Sequence, residues 1–481
     1  MMKNYLNTFT SAVSYFFILL FVYASISKII DFENFQVQIA QSPVLNTYAG
    51  FVSYAVIIVE LIIILLLFFP QSRLLGLYLS LSIMSSFTIY IYLILNFSDS
   101  IPCSCGGVLE KMDWTYHMVF NFLCVLLAII AIVILEKRDR KKSVGFISIA
   151  AALPAILLSL IFYPHINDDQ GSFTRKIIIP LTAEQKIIKF PTEHYYFAGN
   201  QGDTLFLGNR KTPLLLSGIT PDFNNVKVDT IKLDNYNHQF VSVTINVLYP
   251  YFSVSDGKVP VIFEGKLPSL KAYDTGIKRL YFSRFYMLGP KHYVFRTMIF
   301  KTKENELGIL NTDSKEYLLF PNVLQTQIDG VFDTDGDISI DRQNKQIVYT
   351  HLYRSEMIKA DFGLQNIQRK QTIDSSSRTL LETKTLKSGQ TKLIRSPTMI
   401  NRVQTISGNR FYNISKMRGK DESFTDFRNK NVVDVYDAST QKYLYSFYLK
   451  NEKRVKIKGI LCTKKYFYVL EGNQLTRYAF K

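Results

Sequence analysis

The sequence predicts two unlike halves: a bundle of about five transmembrane α-helices, then an all-β extracytoplasmic domain, read as a six- to seven-bladed β-propeller. Three observations carry this. Five apolar stretches, at about 9–30, 50–69, 74–96, 117–135 and 144–163, each approach the ~20 residues that cross ~30 Å of hydrocarbon. Charge divides the same way: nine Lys/Arg and eight Asp/Glu up to residue 163, against 47 and 31 in the rest of the 481 residues. Beyond residue 165 the helical period gives way to short β-branched and aromatic runs broken by turn residues.

The first stretch lacks an A-x-A-like cleavage site and four more follow it, so it reads as a span and not a signal peptide. Between the fourth and fifth spans, EKRDRKKS (136–143) holds five basic residues. The positive-inside rule puts that loop in the cytoplasm. PQSR (70–73) and the N terminus with Lys3 then share its side, while 31–48, 97–116 and everything after Tyr163 lie outside. The single tryptophan, Trp114, and nearby Tyr116 fall at the level of an interfacial aromatic belt. The expected organisation is a four-helix membrane domain (1–136), a basic loop with a fifth span (137–164) and a periplasmic domain (165–481), in a bacterial inner membrane.

In the second half, HYYFAGNQGDTLFLGN (194–209), FSVSDGKVPVIFEG (252–265) and KHYVFRTMIFKTKENELGILNTDS (291–314) share a layout of strand, polar turn and strand. So do GDISIDRQNKQIVYTHLY (336–353), VVDVYDASTQKYLYSFYL (432–449) and IKGILCTKKYFYVLEGNQLTRYAF (457–480). Recurrence every ~40–60 residues is the scale of a propeller blade. A pair of β-sandwiches is the alternative. Residues 365–400, rich in Ser, Thr and Lys, read as a long loop between blades.

The net charge of +17 sits almost wholly on the second half. It favours anionic partners such as lipid headgroups, acidic polymers or acidic proteins. Nucleic acid is the obvious alternative, and the topology argues against it. Four cysteines (103, 105, 124, 462) and six scattered histidines give neither a disulfide scaffold nor a metal-ligand pattern.

IPCSCGG (101–107) is the most informative short segment. Two thiols one residue apart, beside glycines that relax the backbone, can approach closely. A bridge closed over one residue is a strained ring and more oxidising than a structural disulfide. Cys103 and Cys105 are therefore candidates for exchange chemistry on the outer face; a bridge that only staples the loop is the rival. Pairing with each other and pairing with a partner's thiol both fit the spacing. Cys124, ~10 Å into the fourth span, reads as a small hydrophobe or as a relay to a membrane quinone. Cys462 reads as core.

Glu60 lies mid-way along the second span, where a carboxylate costs at least ~2.5–3.5 kcal/mol unless protonated or paired. A proton relay, a quinone contact, and a neutral tie to serine or tyrosine hydroxyls are all open to it. Lys28, at the outer end of the first span, can snorkel to the surface or reach a carboxylate, and snorkelling is the expectation. DTDGDIS (333–339) departs from the calcium-loop pattern, with Gly336 fourth and Asn344 twelfth, and reads as a β-turn.

FVYASISKIIDFENF (21–35), VELIIILLL (59–67), RLLGLYLSLSIMSSFTIY (73–90) and CSCGGVLEKMDWTYHMVFN (103–121) together resemble the MauE/DoxX-like family of redox-associated membrane proteins. The resemblance covers about residues 5–136. It implies a four-helix membrane module supporting disulfide formation or transport during maturation of a periplasmic methylamine dehydrogenase. It also implies redox roles for Cys103 and Cys105 and a membrane role for Glu60. The fifth span and the β domain depart from that family. The expected function is thus accessory thiol–disulfide oxidoreductase activity toward a periplasmic thiol client or thioredoxin-like protein, with the propeller binding the partner. The competing expectation is a membrane-anchored propeller that binds or senses a ligand and has no catalytic role.

Overall fold

A computed structural model describes residues 2–42, 45, 48–97, 114–136, 140–162, 171–375, 382–386, 391–393, 399–450 and 456–481. The chain divides into two compact units, one of residues 1–169 with 381–397, the other of 170–380 with 398–481.

The first unit is helical. Its elements are α1 (Met2–Ile30), α2 (Phe32–Ala40), α3 (Ala49–Phe68), α4 (Arg73–Phe97), α5 (Trp114–Leu135) and α6 (Arg140–Phe162). Among the described residues five helices are long and apolar enough to span a membrane, all but α2. Such segments are helical because hydrocarbon offers their backbone groups no other partner. Four of them share one core, built from Val13, Phe17 and Phe21 of α1, Ile63 and Leu67 of α3, Leu77, Leu81 and Met84 of α4, and Cys124, Ala128 and Ala131 of α5. Small residues let the helices close up: a Cβ on Gly76 would come within 2.9 Å of the Leu67 side chain. The fifth span, α6, lies outside this core and packs on α4, where Ser82 Oγ donates to Ala150 O at 2.9 Å.

The short α2 has no counterpart in the sequence expectations. Its apolar Phe35, Ile39 and Ala40 pack with Ala49 and Ile57 of α3. Residues 365–400 also differ from a bare loop. Thr383–Thr385 and Thr391–Leu393 pair as a hairpin grouped with the helical unit, and Gln41 Nε2 donates to Leu393 O at 2.9 Å.

The second unit is a propeller of six blades among the described residues, five of them four-stranded and the second extended by Lys232–Leu233, which pairs parallel with its outer strand Lys271–Asp274. Their first strands are Tyr195–Gln201, Val243–Leu248, Arg284–Gly289, Gly336–Asp341, Asn401–Ser407 and Ile457–Cys462. Each of these touches the next, and the last touches the first, so the ring closes. Closure is interlocked: Leu181–Lys189 becomes the outermost strand of blade 6, pairing antiparallel with Gln474–Phe480 from Leu181↔Phe480 to Lys189↔Gln474. This removes the free edge an open array would leave. Each strand–turn–strand segment read from the sequence falls within a single blade.

The hydrophobic core is distributed. A separate cluster fills each of the six interfaces between neighbouring blades. That between blades 4 and 5 is the smallest (Val348, Met357, Phe411, Tyr436, Ala438) and is supplemented by polar ties such as Gln441 Nε2 to Met357 O at 3.1 Å.

Candidate functional site in the helical unit

Ser25 and Lys28 are three residues apart on α1 and so share one helix face. That face meets α3 at Glu60, whose residue is fully buried. Lys28 Nζ lies 2.6 Å from Glu60 Oε1, and Ser25 Oγ donates to Oε2 at 2.9 Å. The Lys28 side chain is only 12% exposed. Its ammonium also sits 5.7 Å from the centre of the Phe35 ring of α2. The snorkelling expected of Lys28 is therefore corrected: the carboxylate gives the ammonium a shorter route to charge compensation than the surface does. Glu60 is both an ion-pair partner and a hydroxyl acceptor, combining two readings that the sequence kept apart. In chemical terms, a carboxylate facing an ammonium inside hydrocarbon is a place where one proton can be held or passed without creating net buried charge.

The α5 helix brings a second polar stripe. His117, Asn121 and Cys124 recur at helical spacing, and Asn121 and Cys124 are 2% and 1% exposed. Asn121 Nδ2 and His117 Nδ1 are buried atoms without a hydrogen-bond partner. Cys124 packs among apolar neighbours, as a small hydrophobe would. Cys103 and Cys105 lie outside the described residues.

In the propeller, Cys462 lies on the first strand of blade 6 at 7% exposure, and burial pushes its thiol up to about 12. The loop around Asp333 is a turn held by its own amides. The Asp333 carboxylate accepts from the Gln327, Ile328 and Gly330 amides, the last two at 2.7 and 2.9 Å. Asp329 Oδ1 accepts from Val331, Phe332 and Asp333 amides. Among the described residues no cluster of His, Cys, Asp and Glu is placed to hold a metal.

Sequence reading missed a charged network between blades 3 and 4. Arg296 Nη1 reaches Asp335 Oδ1 at 2.6 Å and Tyr349 Oη at 2.9 Å, and Tyr286 Oη donates to Asp337 Oδ1 at 2.8 Å. Burial, together with the Arg354 charge, holds His351 well below its usual range. Neutral His351 can then accept from Arg354 Nη2 at 2.8 Å. Only the fold brings these residues together; no local motif marks them.

Residues 6–134 match the family model of methylamine utilisation protein MauE. No curated protein gives a significant match to the chain. Among solved structures the chain is similar to a member of the DUF4221 family from Bacteroides vulgatus, at 13% identity and a TM-score of 0.44, over 64% of this chain and 98% of that one. It is also similar to YCF48 bound to D1 peptide, at 8% identity and a TM-score of 0.37, over 64% and 100% of the two chains. U3-55K is a third such structure, at 8% identity and a TM-score of 0.38, over 63% and 100%.

Proposed function

From a helical unit that matches the MauE family model over residues 6–134, we propose that this membrane protein supports thiol/disulfide exchange in an extracytoplasmic client. Cys103 and Cys105 are the exchanging pair. The propeller binds the client or a thioredoxin-like partner, on the periplasmic side of a bacterial inner membrane. The observation that most supports this reading is the buried Lys28–Glu60–Ser25 cluster, an expensive arrangement in hydrocarbon that lies inside the matched region.

In the exchange, two client thiols lose two protons and two electrons as their S–S bond forms, and the Cys103–Cys105 bond is reduced to two thiols. Regenerating the pair requires passing two electrons and two protons onward. A membrane quinone, when bound, supplies an acceptor for both. The donor set suits such a group: Asn121 Nδ2 is buried and unpartnered, and would donate to a carbonyl oxygen. Glu60 and Lys28 can shift one proton between ammonium and carboxylate, an ion pair becoming a neutral pair with no change in net charge.

The test is the redox state of Cys103 and Cys105 in native membranes, read by acid quenching, differential alkylation and mass spectrometry. Cys462, a free thiol buried in the propeller, becomes accessible once the quenched protein is denatured and serves as the internal control for complete labelling. A mixed population that shifts with added reductant or quinone supports the reading, and Glu60→Gln then slows re-oxidation. A fully oxidised inert bridge, or two permanently free thiols, sinks it and leaves a membrane-anchored propeller that binds or senses.

A further inference from the structure

The two faces of the propeller are not alike. Because strands alternate in direction, the loops joining second to third strands share a face with the connections between blades. The remaining turns occupy the opposite face. Among the described residues, six large hydrophobic side chains exposed in or beside loops lie on the first face: Tyr236, Val241, Tyr281, Met298, Phe300 and Ile328. Tyr249 lies on the opposite face, and Ile177 and Ile179 are exposed in the segment that leads into Leu181–Lys189.

The exposed side chains concentrate at blade 3. Phe300 is 83% exposed at the tip of the loop that follows His292–Met298, and Met298 is 50% exposed beside it. Lys301 and Lys303 are exposed in the same loop, with Lys303 Nζ 4.2 Å from the centre of the Phe300 ring. The connection into blade 3 adds exposed Lys278 and Arg279 next to Tyr281. Nearby acids turn inward: Glu304 accepts from Thr326 Oγ1 at 3.1 Å, and Asp329 is used by loop amides. Outward, this end of the propeller presents aromatic and aliphatic tips ringed by cations.

The chain also arrives on this face. Gly171 N donates to Arg418 O at 2.7 Å and Lys420 N to Phe173 O at 2.8 Å, in the loop between the second and third strands of blade 5. Residues 163–170 separate this point from Phe162 at the end of α6, a reach of at most ~30 Å.

We propose that this face is a lipid-docking surface: Phe300, Met298, Tyr281 and Ile328 insert at the headgroup level while Lys278, Arg279, Lys301 and Lys303 engage anionic phosphates. Aromatic rings with a wet rim suit the interfacial layer. Each basic residue near an anionic leaflet adds attraction that salt screens. Six exposed apolar side chains on one face of a propeller need an occupant. The excess of cations around them selects an anionic lipid surface over an apolar protein groove.

The test uses the full chain in nanodiscs, with Trp114→Phe as background and Phe300→Trp as the sole reporter. Brominated phosphatidylcholine mixed with phosphatidylglycerol should quench its emission at least twofold. Tyr249→Trp on the opposite face should stay unquenched. Adding Lys301→Glu and Lys303→Glu, or raising salt, should abolish the quenching. An unquenched Phe300→Trp overturns the proposal, and blue-shifted but unquenched emission assigns the face to a protein. Equal quenching in purely zwitterionic discs also overturns it, because the cations then play no part. Hydrogen exchange on the unmodified chain guards against a misfolded variant: amides of 298–304 should slow severalfold in anionic discs relative to zwitterionic ones, and unchanged rates count against docking.

Discussion

Two buried ion pairs, one in each unit, make different use of similar chemistry. In the bundle, Lys28 and Glu60 face each other, and Ser25 adds a hydroxyl bond to the carboxylate. In the propeller, Arg175 is saturated. Its Nε lies 2.7 Å from Asp434 Oδ1, its Nη2 donates to Ser415 Oγ and Met417 O at 3.0 and 2.9 Å, and its Nη1 pairs with Glu422. Burial opposes the Arg175 charge, but Asp434 and Glu422 more than offset it and hold the guanidinium above its usual range. An arginine with all three guanidinium nitrogens engaged is held in its charged form; it clasps the arriving chain to blade 5. A lysine–glutamate pair with one hydroxyl can exchange a proton. Satisfaction, more than burial, separates a structural charge from a candidate functional one.

The comparison breaks first at Arg175. Arg175→Met leaves Asp434 and Glu422 without a cation, and neither the methionine nor the surrounding strands can neutralise them. The expected loss is ~3–5 kcal/mol, the range for breaking a buried pair from one side. It should appear as earlier thermal unfolding of the β signal and faster proteolysis near residue 175. An unchanged midpoint would show that the clasp contributes nothing.

A smaller effect is expected at the membrane pair, where one ammonium 12% exposed meets one carboxylate, against two carboxylates on a guanidinium that is 1% exposed. In a double-mutant cycle with Lys28→Met and Glu60→Met, each single change should cost ~1–3 kcal/mol and the double less than their sum. Thermal unfolding in detergent measures this. Strict additivity would mean the pair is not coupled. Ser25→Ala removes one hydroxyl bond to the same carboxylate and should cost ~1 kcal/mol. That variant tests whether Ser25 tunes the proton without holding the helices.

Much of the fold was legible because it rests on local patterns. Each span announces itself by ~20 apolar residues, and each blade shows a hairpin through alternating residues and turn signals. Contacts between distant segments left no such trace. Leu181–Lys189 (LTAEQKIIK) is half polar because it lies at the outer edge of blade 6, so nothing in it reads as the strand that closes the ring. Lys28 and Glu60 are 32 residues apart, and hydropathy does not fix how two helices rotate toward each other. Glu60 drew notice because a charge in hydrocarbon is costly wherever it points; its partner did not, because a lysine near a helix end has an easy alternative in snorkelling.

The contrast between saturated and exchangeable charge extends to pH. Asp437, in the turn after Lys430–Asp437 of blade 5, accepts from Ser439 Oγ at 2.7 Å, Thr440 N at 2.8 Å and Thr440 Oγ1 at 2.9 Å. The Ser439 hydroxyl foremost, with the Thr440 donors, lowers its carboxyl to about 2. A carboxyl whose folded pKa lies below its unfolded value of ~3.9 stabilises the fold above that value and loses the contribution as pH falls through the folded one. The propeller should therefore shed this stability between pH ~4 and ~2. Asp437→Asn should flatten that part of the acid-unfolding curve and lower the midpoint at pH 7, because the amide lacks the ionised form that the turn donors stabilise. A variant whose acid limb overlays the parent's would show that these bonds are equally strong to the protonated acid. Asp437 would then be a turn residue whose charge does nothing.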